Sequence, residues 1–376
     1  MIDSPPYLLL DPDAIPSPSL LVFRDLVATN LDAMIRLAGG VDRLRPHAKT
    51  HKSAAVVRMG LDRGIDKYKC ATVAEAETLA TAGAVDVLLA YPLVGPNPKR
   101  FVALSAAFPA VTFRALVDDP EHVRALADAA AAARLDRPIP TLLDLDVGMG
   151  RTGIAPSDAA VALYREIDRR PELTADGLHA YDGHLGIPDP AERTTAAKAV
   201  EEQVLRFRDR LVANGLPIPR LVMGGTPTFP IHGRFDAPGV ECSPGTVVYH
   251  DYNYSTRFPD LPFTPAALLL TRVVSRPRAG RLCLDLGHKA VSADTPPPGL
   301  RAWLPALPDA RVAGHSEEHL FLDVADADRH PIGEPLLAVP AHVCPTVALH
   351  RFAFVIADGR VVDEWETSAR DRRLTF

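Results

Sequence analysis

The stretch KYKCATVAEAETLATAGAVDVLLA, residues 67–90, decides the fold. A short apolar run at Lys67–Ala71 precedes an amphipathic run at Val73–Ala82, and a second apolar run follows at Val87–Ala90. Apolar residues at i, i+3 and i+4 favour a helix in the middle, and the two flanking runs have the length of buried strands. This order predicts two parallel strands joined by a crossover helix.

The same alternation continues in both directions, from about residue 19 to 225. Strands alternating with helices indicate parallel βα units, and eight of them predict a (β/α)8 TIM-like barrel, with an open doubly wound sheet as the rival. The candidate strands are Ser19–Phe23, Leu44–His47, Lys67–Ala71, Val87–Ala90, Thr112–Val117, Thr141–Leu145, Leu178–Tyr181 and Arg220–Met223.

From about residue 265 the pattern changes to short β-like runs separated by turn residues such as Asp358-Gly359. This change predicts a smaller, mostly β domain after the barrel. We therefore expect a barrel domain over residues 15–255 and a C-terminal β domain over 256–376, to which residues 1–14 are joined.

Composition excludes several classes of function. With 41 basic and 47 acidic residues the net charge is −6, which argues against nucleic acid as a partner. No apolar stretch approaches the roughly 18 residues that span a bilayer, so no membrane partner is expected. The four cysteines are too few and too scattered for a disulfide scaffold, and we expect a cytoplasmic protein with reduced thiols.

The segment RPHAKTHK, residues 45–52, is the strongest local signal of chemistry. It follows a candidate strand directly, and barrel enzymes place their sites at that end of their strands. His47 and Lys49 alternate on one face, as strand residues do, and would point into a barrel together. Crowded cations favour the neutral, nucleophilic form of a lysine amine. A basic surface turn is the alternative reading.

At this segment the sequence resembles the D-threonine aldolase and D-serine dehydratase family. These are pyridoxal-phosphate enzymes of the alanine racemase fold type (fold type III), in which a barrel is followed by a β domain. The resemblance implies pyridoxal 5'-phosphate as cofactor, Lys49 as its Schiff-base lysine and His47 beside it. It also implies a homodimer.

Two further segments carry the resemblance toward the cofactor. The turn DLDVGMGRTG, residues 144–153, is similar to the family's turn whose arginine donates to the cofactor's phenolic oxygen, which implies that role for Arg151. In HAYDGH, residues 179–184, the resemblance places Tyr181 against the pyridine ring and implies His184 as a catalytic base. An exposed turn arginine and an ordinary loop histidine are the alternatives.

Small and hydroxyl-bearing residues follow the last candidate strand, in MGGTPT at 223–228 and SPGT at 243–246. Phosphate binds free backbone N–H groups and hydroxyls, and barrels place it after strands seven and eight. The resemblance implies phosphate binding by Gly225, Thr226, Gly245 and Thr246. Ser243 stands where racemases of this fold have an arginine, which weakens a racemase reading.

The segment PAHVCPT, residues 340–346, suggests a metal site. His342 and Cys344 lie two apart, so on an extended segment they project to one side and could share an ion. The family holds a divalent metal here, Zn2+, Mn2+ or Mg2+, and a thiolate with an imidazole favours zinc. HSEEH at 315–319 adds further possible ligands or supporting partners.

The resemblance implies a metal-dependent D-threonine aldolase that cleaves D-β-hydroxy-α-amino acids to glycine and an aldehyde. Cys344 matches the family's eukaryotic dehydratases, whereas LDLGHKA at 284–290 and HSEEH look more like its bacterial aldolases. A D-serine or D-3-hydroxyaspartate dehydratase, giving a 2-oxo acid and ammonia, is the alternative. A non-catalytic pyridoxal-phosphate-binding protein and a metal-only hydrolase represent other classes. The roles of His288 and Lys289 stay open.

Overall fold

The computed structural model of the chain describes residues 1–295 and 299–375. Its strands are β1 Ile2–Ser4, β2 Tyr7–Leu9, β3 Ser19–Phe23, β4 Lys67–Cys70, β5 Asp86–Leu89, β6 Thr112–Val117, β7 Ile139–Leu145, β8 Leu173–Ala180, β9 Leu221–Met223, β10 Val240–Cys242, β11 Ala267–Arg278, β12 Arg281–Leu284, β13 Ala302–Trp303, β14 Arg311–His315, β15 Leu320–Asp323, β16 Pro335–Pro340, β17 Phe352–Ala357 and β18 Arg360–Glu366. Its α-helices are α1 Arg24–Ala38, α2 Ala54–Leu61, α3 Val73–Ala82, α4 Asn97–Ala107, α5 Pro120–Ala133, α6 Asp158–Arg169, α7 Pro190–Ala213, α8 Phe229–His232, α9 Tyr252–Arg257 and α10 Val343–Leu349.

Two compact units make up the described chain. The barrel unit comprises residues 34–49, 56–245 and the C-terminal residues from Asp371, and the β unit comprises 1–33, 50–55 and 246–370. The domain boundaries predicted from the sequence, 15–255 for the barrel and 256–376 for the β domain, stay predictions. Across residues 1–295 and 299–375, none of the helices has both the length and the apolar content required to cross a bilayer.

The barrel unit contains a seven-stranded parallel sheet in the order β10-β9-β8-β7-β6-β5-β4. Residues 44–48 close it into a ring, since Leu44 bridges Cys242 of β10 and His47 bridges Lys69 of β4, both in parallel. The predicted barrel followed by a mostly β region is thereby confirmed, together with the alanine racemase fold type. The doubly wound alternative is wrong because residues 44–48 bridge both edge strands of this sheet, β10 and β4.

Local signals in the sequence explain why the decisive stretch folds as predicted. The Thr72 side chain accepts a hydrogen bond from the backbone N–H of Glu75 and so caps the start of α3. Gly83 ends the helix in the left-handed conformation, at φ +109°. β4 and β5 then pair in parallel, as the crossover requires.

The barrel interior is layered along the strands. An ionic layer lies toward the strand starts, where each positive side chain is close to a carboxylate; its members are Arg45, Asp86, Arg114, Asp176, Arg220 and Glu241. Two residues further along their strands, Leu88, Leu116 and Val222 follow three of these ions and cluster with Leu142 as a buried aliphatic layer. The opposite end, where the strands finish, lies beyond this aliphatic layer and carries the sequence-predicted site residues of the barrel unit.

The β unit is built on a nine-stranded sheet that includes the path β14-β15-β12-β11-β3-β17-β18. Here one predicted barrel strand is wrong: Ser19–Phe23 pairs antiparallel with β11 and parallel with β17. The barrel strand that replaces it is β10, Val240–Cys242, which the sequence reading missed because its short apolar pattern is interrupted by the buried Glu241.

Candidate active site

Three positive side chains surround one tyrosine ring at the ends of the barrel strands. The Nζ atom of Lys49 lies 5.9 Å from the Tyr181 ring centroid, Lys69 Nζ lies 5.8 Å from it, and Arg151 Cζ lies 4.9 Å from it. Lys49 follows the strand that closes the ring, and Tyr181 follows β8 directly. The structure therefore brings together Lys49, Arg151 and Tyr181 as predicted, and it adds Lys69, which sequence reading did not single out.

His47 lies beside this cluster through its own segment. The backbone N–H of Lys49 donates to His47 Nδ1 at 3.3 Å, and both side chains are half-buried. This hydrogen bond ties the imidazole to the turn that carries the lysine.

Arg151 is presented by a tight turn after β7. The Asp146 carboxylate accepts hydrogen bonds from the backbone N–H groups of Gly148 and Gly150, each at 3.0 Å, and these bonds lower the pKa of Asp146. Gly153 closes the turn at φ +99°, where a Cβ would lie 2.5 Å from the Asp146 nitrogen. Only glycine suits that position, so the turn has one shape.

His184 lies against the same turn and is exposed. A Cβ added at Gly148 would lie 2.9 Å from His184 Nε2, which shows how closely the imidazole approaches the backbone there. The predicted base therefore belongs to the loop after β8 and packs against the turn that carries Arg151.

The two predicted phosphate segments of the barrel unit meet after β9 and β10. The Gly245 N–H donates to Thr226 Oγ1 at 3.4 Å, and both residues are buried. A Cβ at Gly225 would come within 3.1 Å of Tyr181 Cε2, so the missing side chain leaves room at the edge of that ring. Small residues and hydroxyls arranged in this way have the chemistry of an oxyanion site, and phosphate binding by Gly225, Thr226 and Gly245 stays a prediction.

A buried ionic network supports this cradle. His232, fully buried, lies 2.8 Å from Asp182 Oδ2 and 2.9 Å from Glu201 Oε1. Burial opposes the charged form, but the hydrogen bonds to both carboxylates prevail and raise the pKa of His232 to about 9. Asp182 also accepts from Thr228 Oγ1, which in turn accepts from the Gly225 N–H. The loop after β8 is thereby linked to the loop after β9.

A second buried chain of polar groups starts at Lys69. Its Nζ lies 3.4 Å from His179 Nε2, and His179 Nδ1 lies 2.6 Å from Asp144 Oδ1. Burial, and then the charge of Lys49, lower the pKa of Lys69 to about 7. Asp144 and His179 begin two of the segments quoted for the resemblance, yet sequence reading gave them no role. The available signal was Lys69 in the interior of the candidate strand Lys67–Ala71.

The predicted metal ligands lie in the β unit. His342 Nδ1 is 2.5 Å from Asp294 Oδ2, and the side chain of Cys344 also hydrogen bonds to His342. Burial opposes the charged imidazole, but the bonds to Cys344 and Asp294 raise the pKa of His342 to about 9. Cys344 Sγ is 3.1 Å from Thr50 Oγ1 and 3.8 Å from Thr246 Oγ1.

This pair of ligands is not joined by a third. Within residues 1–295 and 299–375, no three His, Cys, Asp or Glu side chains form a group able to hold a metal ion. His342 and Cys344 still fit a zinc-type ion, since imidazole and thiolate are its usual donors, provided that water or substrate completes the coordination. Asp294 occupies the position of a partner that orients a metal-binding histidine.

The remaining polar segments of the β unit contact one another. Lys289 Nζ lies 2.8 Å from Glu317 and 3.1 Å from Glu318. The rings of His288 and His315 meet edge to face at 5.7 Å, and His315 Nε2 lies 3.2 Å from the Leu286 carbonyl. The segments 284–290 and 315–319 therefore contact each other, and these contacts give both a local structural role.

Comparison with known proteins agrees with this geometry. Residues 23–253 match the family described as alanine racemase, N-terminal domain, and residues 266–356 match a putative serine dehydratase domain. The chain is 29% identical to a D-threonine aldolase of an Arthrobacter species, over 97% of this chain and 96% of the relative. It is 28% identical to a 3-hydroxy-D-aspartate aldolase of Paracoccus denitrificans strain Pd 1222, over 98% of this chain and 96% of the relative.

Among solved structures, the crystal structure of D-threonine aldolase from Filomicrobium marinum superposes with a TM-score of 0.86. That protein is 30% identical to this chain, and the match covers 97% of this chain and 99% of the other.

Proposed function

This chain belongs to the D-threonine aldolase and D-serine dehydratase family of pyridoxal-phosphate-dependent lyases, and on that premise we propose that it is a metal-dependent D-threonine aldolase. Its substrates are D-β-hydroxy-α-amino acids, which it cleaves to glycine and an aldehyde. The observation that carries the proposal is the convergence of Lys49 and Arg151 on the Tyr181 ring, beside an oxyanion cradle. The homodimer and the cytoplasmic location stay predictions.

The residues of the barrel mouth fit pyridoxal phosphate. Its phosphate and phenolic oxygen are anionic, and the mouth offers three basic side chains around one ring. Gly225 leaves the edge of Tyr181 open, so a flat ring can approach with its phosphate on Thr226 and Gly245. When bound, the cofactor supplies an electron sink for negative charge that develops at the substrate's Cα.

The chain's own residues then divide the work. Lys49 supplies the amine that holds the cofactor's aldehyde, and its position over Tyr181 keeps that amine within the site. Tyr181 offers a flat apolar face, and Arg151 donates hydrogen bonds to an anionic oxygen. His184, which packs against the Arg151 turn, accepts the proton of the substrate's β-hydroxyl at an imidazole nitrogen, which releases the aldehyde.

The metal belongs with His342 and Cys344. A divalent ion there would act as a Lewis acid toward the hydroxyl oxygen of the substrate. Asp294 holds the Nδ1 side of the imidazole at 2.5 Å, which leaves Nε2 as the ligand atom. The thiolate of Cys344 favours zinc over Mn2+ or Mg2+.

A D-serine or D-3-hydroxyaspartate dehydratase is the second candidate. The cysteine ligand and the match of residues 266–356 to a putative serine dehydratase domain favour it. In that reaction a base such as Lys49 takes the proton from Cα instead, and the hydroxyl leaves. The two activities therefore differ in which proton the chain's residues remove.

The test is a product assay on the purified protein with pyridoxal phosphate and either Zn2+ or Mn2+. D-Threonine, D-serine and D-threo-3-hydroxyaspartate are supplied separately, with L-threonine as the stereochemical control. Aldehyde plus glycine from D-threonine supports the proposal, and 2-oxo acid plus ammonia supports the dehydratase. Visible cofactor absorbance without turnover of any of these would indicate a non-catalytic binding protein, and turnover that survives Lys49→Ala would indicate a metal-only enzyme.

A further inference from the structure

Lys69 is a second lysine at the barrel mouth, and the proposed chemistry does not use it. Only 2% of its surface is exposed, although it carries an amine on a strand of the barrel. Its Nζ lies 5.8 Å from the Tyr181 centroid, against 5.9 Å for Lys49. Both amines therefore approach the same ring, and a buried cation so close to another is costly unless something compensates it.

The polar partner of Lys69 is an acceptor. Asp144 Oδ1, 2.6 Å from His179 Nδ1, fixes that nitrogen as the one bearing hydrogen, so His179 Nε2 presents its lone pair to Lys69 Nζ at 3.4 Å. Thr152 Oγ1 donates to the other oxygen of Asp144 at 3.0 Å and holds the carboxylate in place. His179 and Asp144 are both buried, so the arrangement is fixed by packing as well as by hydrogen bonds.

The surroundings of Lys69 make its charged and neutral forms nearly equal in free energy at neutral pH. Burial and the cations of Lys49 and Arg45 disfavour its charged form, whereas Asp144 and Asp182 favour it. His179 is kept neutral, because burial lowers its pKa. The resulting pKa of Lys69, about 7, means that the amine gains or loses a proton in response to a single new charge nearby.

We infer that Lys69 is a proton-holding residue of the site, which takes up a proton at Nζ when an anionic ligand occupies the barrel mouth. The proton comes from solvent and forms an N–H bond at Nζ, and no bond between heavy atoms forms or breaks. His179 and Asp144 are positioning residues that hold the amine. Uptake would restore charge balance around a phosphate dianion and a phenolate. The inference rests on the proposed function for the class of ligand, a pyridoxine phosphate.

The test counts protons rather than turnover. The apoprotein is titrated at pH 8 with 4'-deoxypyridoxine 5'-phosphate, which has no aldehyde and cannot react with Lys49. Calorimetry in buffers of different ionisation enthalpy gives the number of protons taken up. We expect wild type to take up roughly half a proton or more per site in excess of Lys69→Met, because the amine starts mostly neutral.

Lys67→Met is the matched control, since Lys67 lies on the same strand two residues earlier, 3.5 Å from Glu241 of the ionic layer. It should keep the wild-type proton count. Lys69→Arg, whose guanidinium stays charged, should lose the excess as Lys69→Met does, and it serves if the methionine variant does not fold. His179→Gln should reduce the excess.

Equal proton counts in wild type, Lys69→Met and Lys69→Arg would overturn the inference. Failure of the proposed function looks different. If borohydride does not fix pyridoxal phosphate to Lys49 of the wild-type protein, the lyase proposal fails, while the proton count with the unreactive phosphate still decides the role of Lys69.

Discussion

Both ends of the barrel interior carry ionisable side chains, but those at one end form ion pairs, whereas basic groups gather around a single ring at the other. In the ionic layer Arg45 lies 2.7 Å from Asp86 and 2.6 Å from Glu241, and Arg114 lies 2.7 Å from Asp86. At the mouth, Lys49, Lys69 and Arg151 face one tyrosine, and the nearby carboxylate of Asp144 is engaged by a histidine.

This contrast separates two uses of buried charge. Paired ions fill one end of the barrel and make it a structural plug, because removing either partner would leave an uncompensated charge. Excess positive charge at the other end costs stability in the empty protein, and the anionic ligand that we propose would relieve it. The difference predicts that mutations at one end change stability and that mutations at the other change binding and activity.

The largest effect is expected from Lys49→Ala. Loss of the amine at the mouth should lower D-threonine cleavage by a factor on the order of 10³ or more, because in the proposed function this amine holds the cofactor's aldehyde. Urea unfolding of the apoprotein should change little. Steady-state kinetics and borohydride trapping measure the loss of activity and of cofactor attachment. Near-normal turnover in the variant would contradict the view that the mouth serves activity rather than stability.

At the plug we expect Asp86→Ala to lower the free energy of unfolding by about 3–5 kcal/mol, since Arg45 and Arg114 would both lose a buried partner. Lys69→Met is the matched change at the mouth. It removes a buried amine whose charged form is unfavourable, and it should leave stability the same or raise it. Urea denaturation of both apoproteins measures this, and equal losses would show that the two ends do not differ.

The third prediction concerns the Asp294 carboxylate, which orients the proposed metal ligand His342, whereas the carboxylates of the ionic layer pair with arginines. Asp294→Ala should weaken metal binding by about 10- to 100-fold, because His342 would lose the partner that holds its Nδ1. Asp294→Asn, which keeps an acceptor oxygen, should lose less. Titration with Co2+, followed by thiolate-to-metal absorption from Cys344, gives both affinities. Unchanged binding in the alanine variant would remove Asp294 from the site.

The smallest effect concerns His232, a cation of the mouth that is paired like those of the plug. Its folded-state pKa of about 9 is above the ordinary 6.5, so its stabilising contribution is complete below pH 6.5 and is lost as pH rises through 9. The stability advantage of wild type over His232→Gln should shrink across this range by at most about 1.4 kcal/mol per pH unit. A pH series of urea unfolding curves checks this, and a constant or growing difference would mean that His232 is neutral.

Much of the fold was predictable because the barrel repeats one pattern. The helix over Val73–Ala82 has the predicted bounds, and the strand at Thr112–Val117 does as well. Ser19–Phe23 has the same apolar pattern as a barrel strand, and sequence alone cannot say which sheet it joins. The pairing is decided by contacts with β11 and β17, hundreds of residues away.

The candidate site likewise contains residues that local motifs predict and residues that only the folded chain brings together. Lys49, Arg151 and Tyr181 belong to local motifs, and the structure brings them together. Lys69, His179 and Asp144 come from three different strands, and only the closed sheet makes them neighbours. Asp294 reaches His342 over 48 residues, with no local pattern to mark it.

The position of β3 has a consequence for synthesis of the protein. Leu20–Phe23 leave the ribosome early, yet their parallel partner β17 begins at Phe352. At about 5–20 residues per second, this apolar strand waits for tens of seconds without its neighbour while the intervening barrel segments emerge. An unpaired apolar strand of this kind favours aggregation until β17 has emerged and can pair with it.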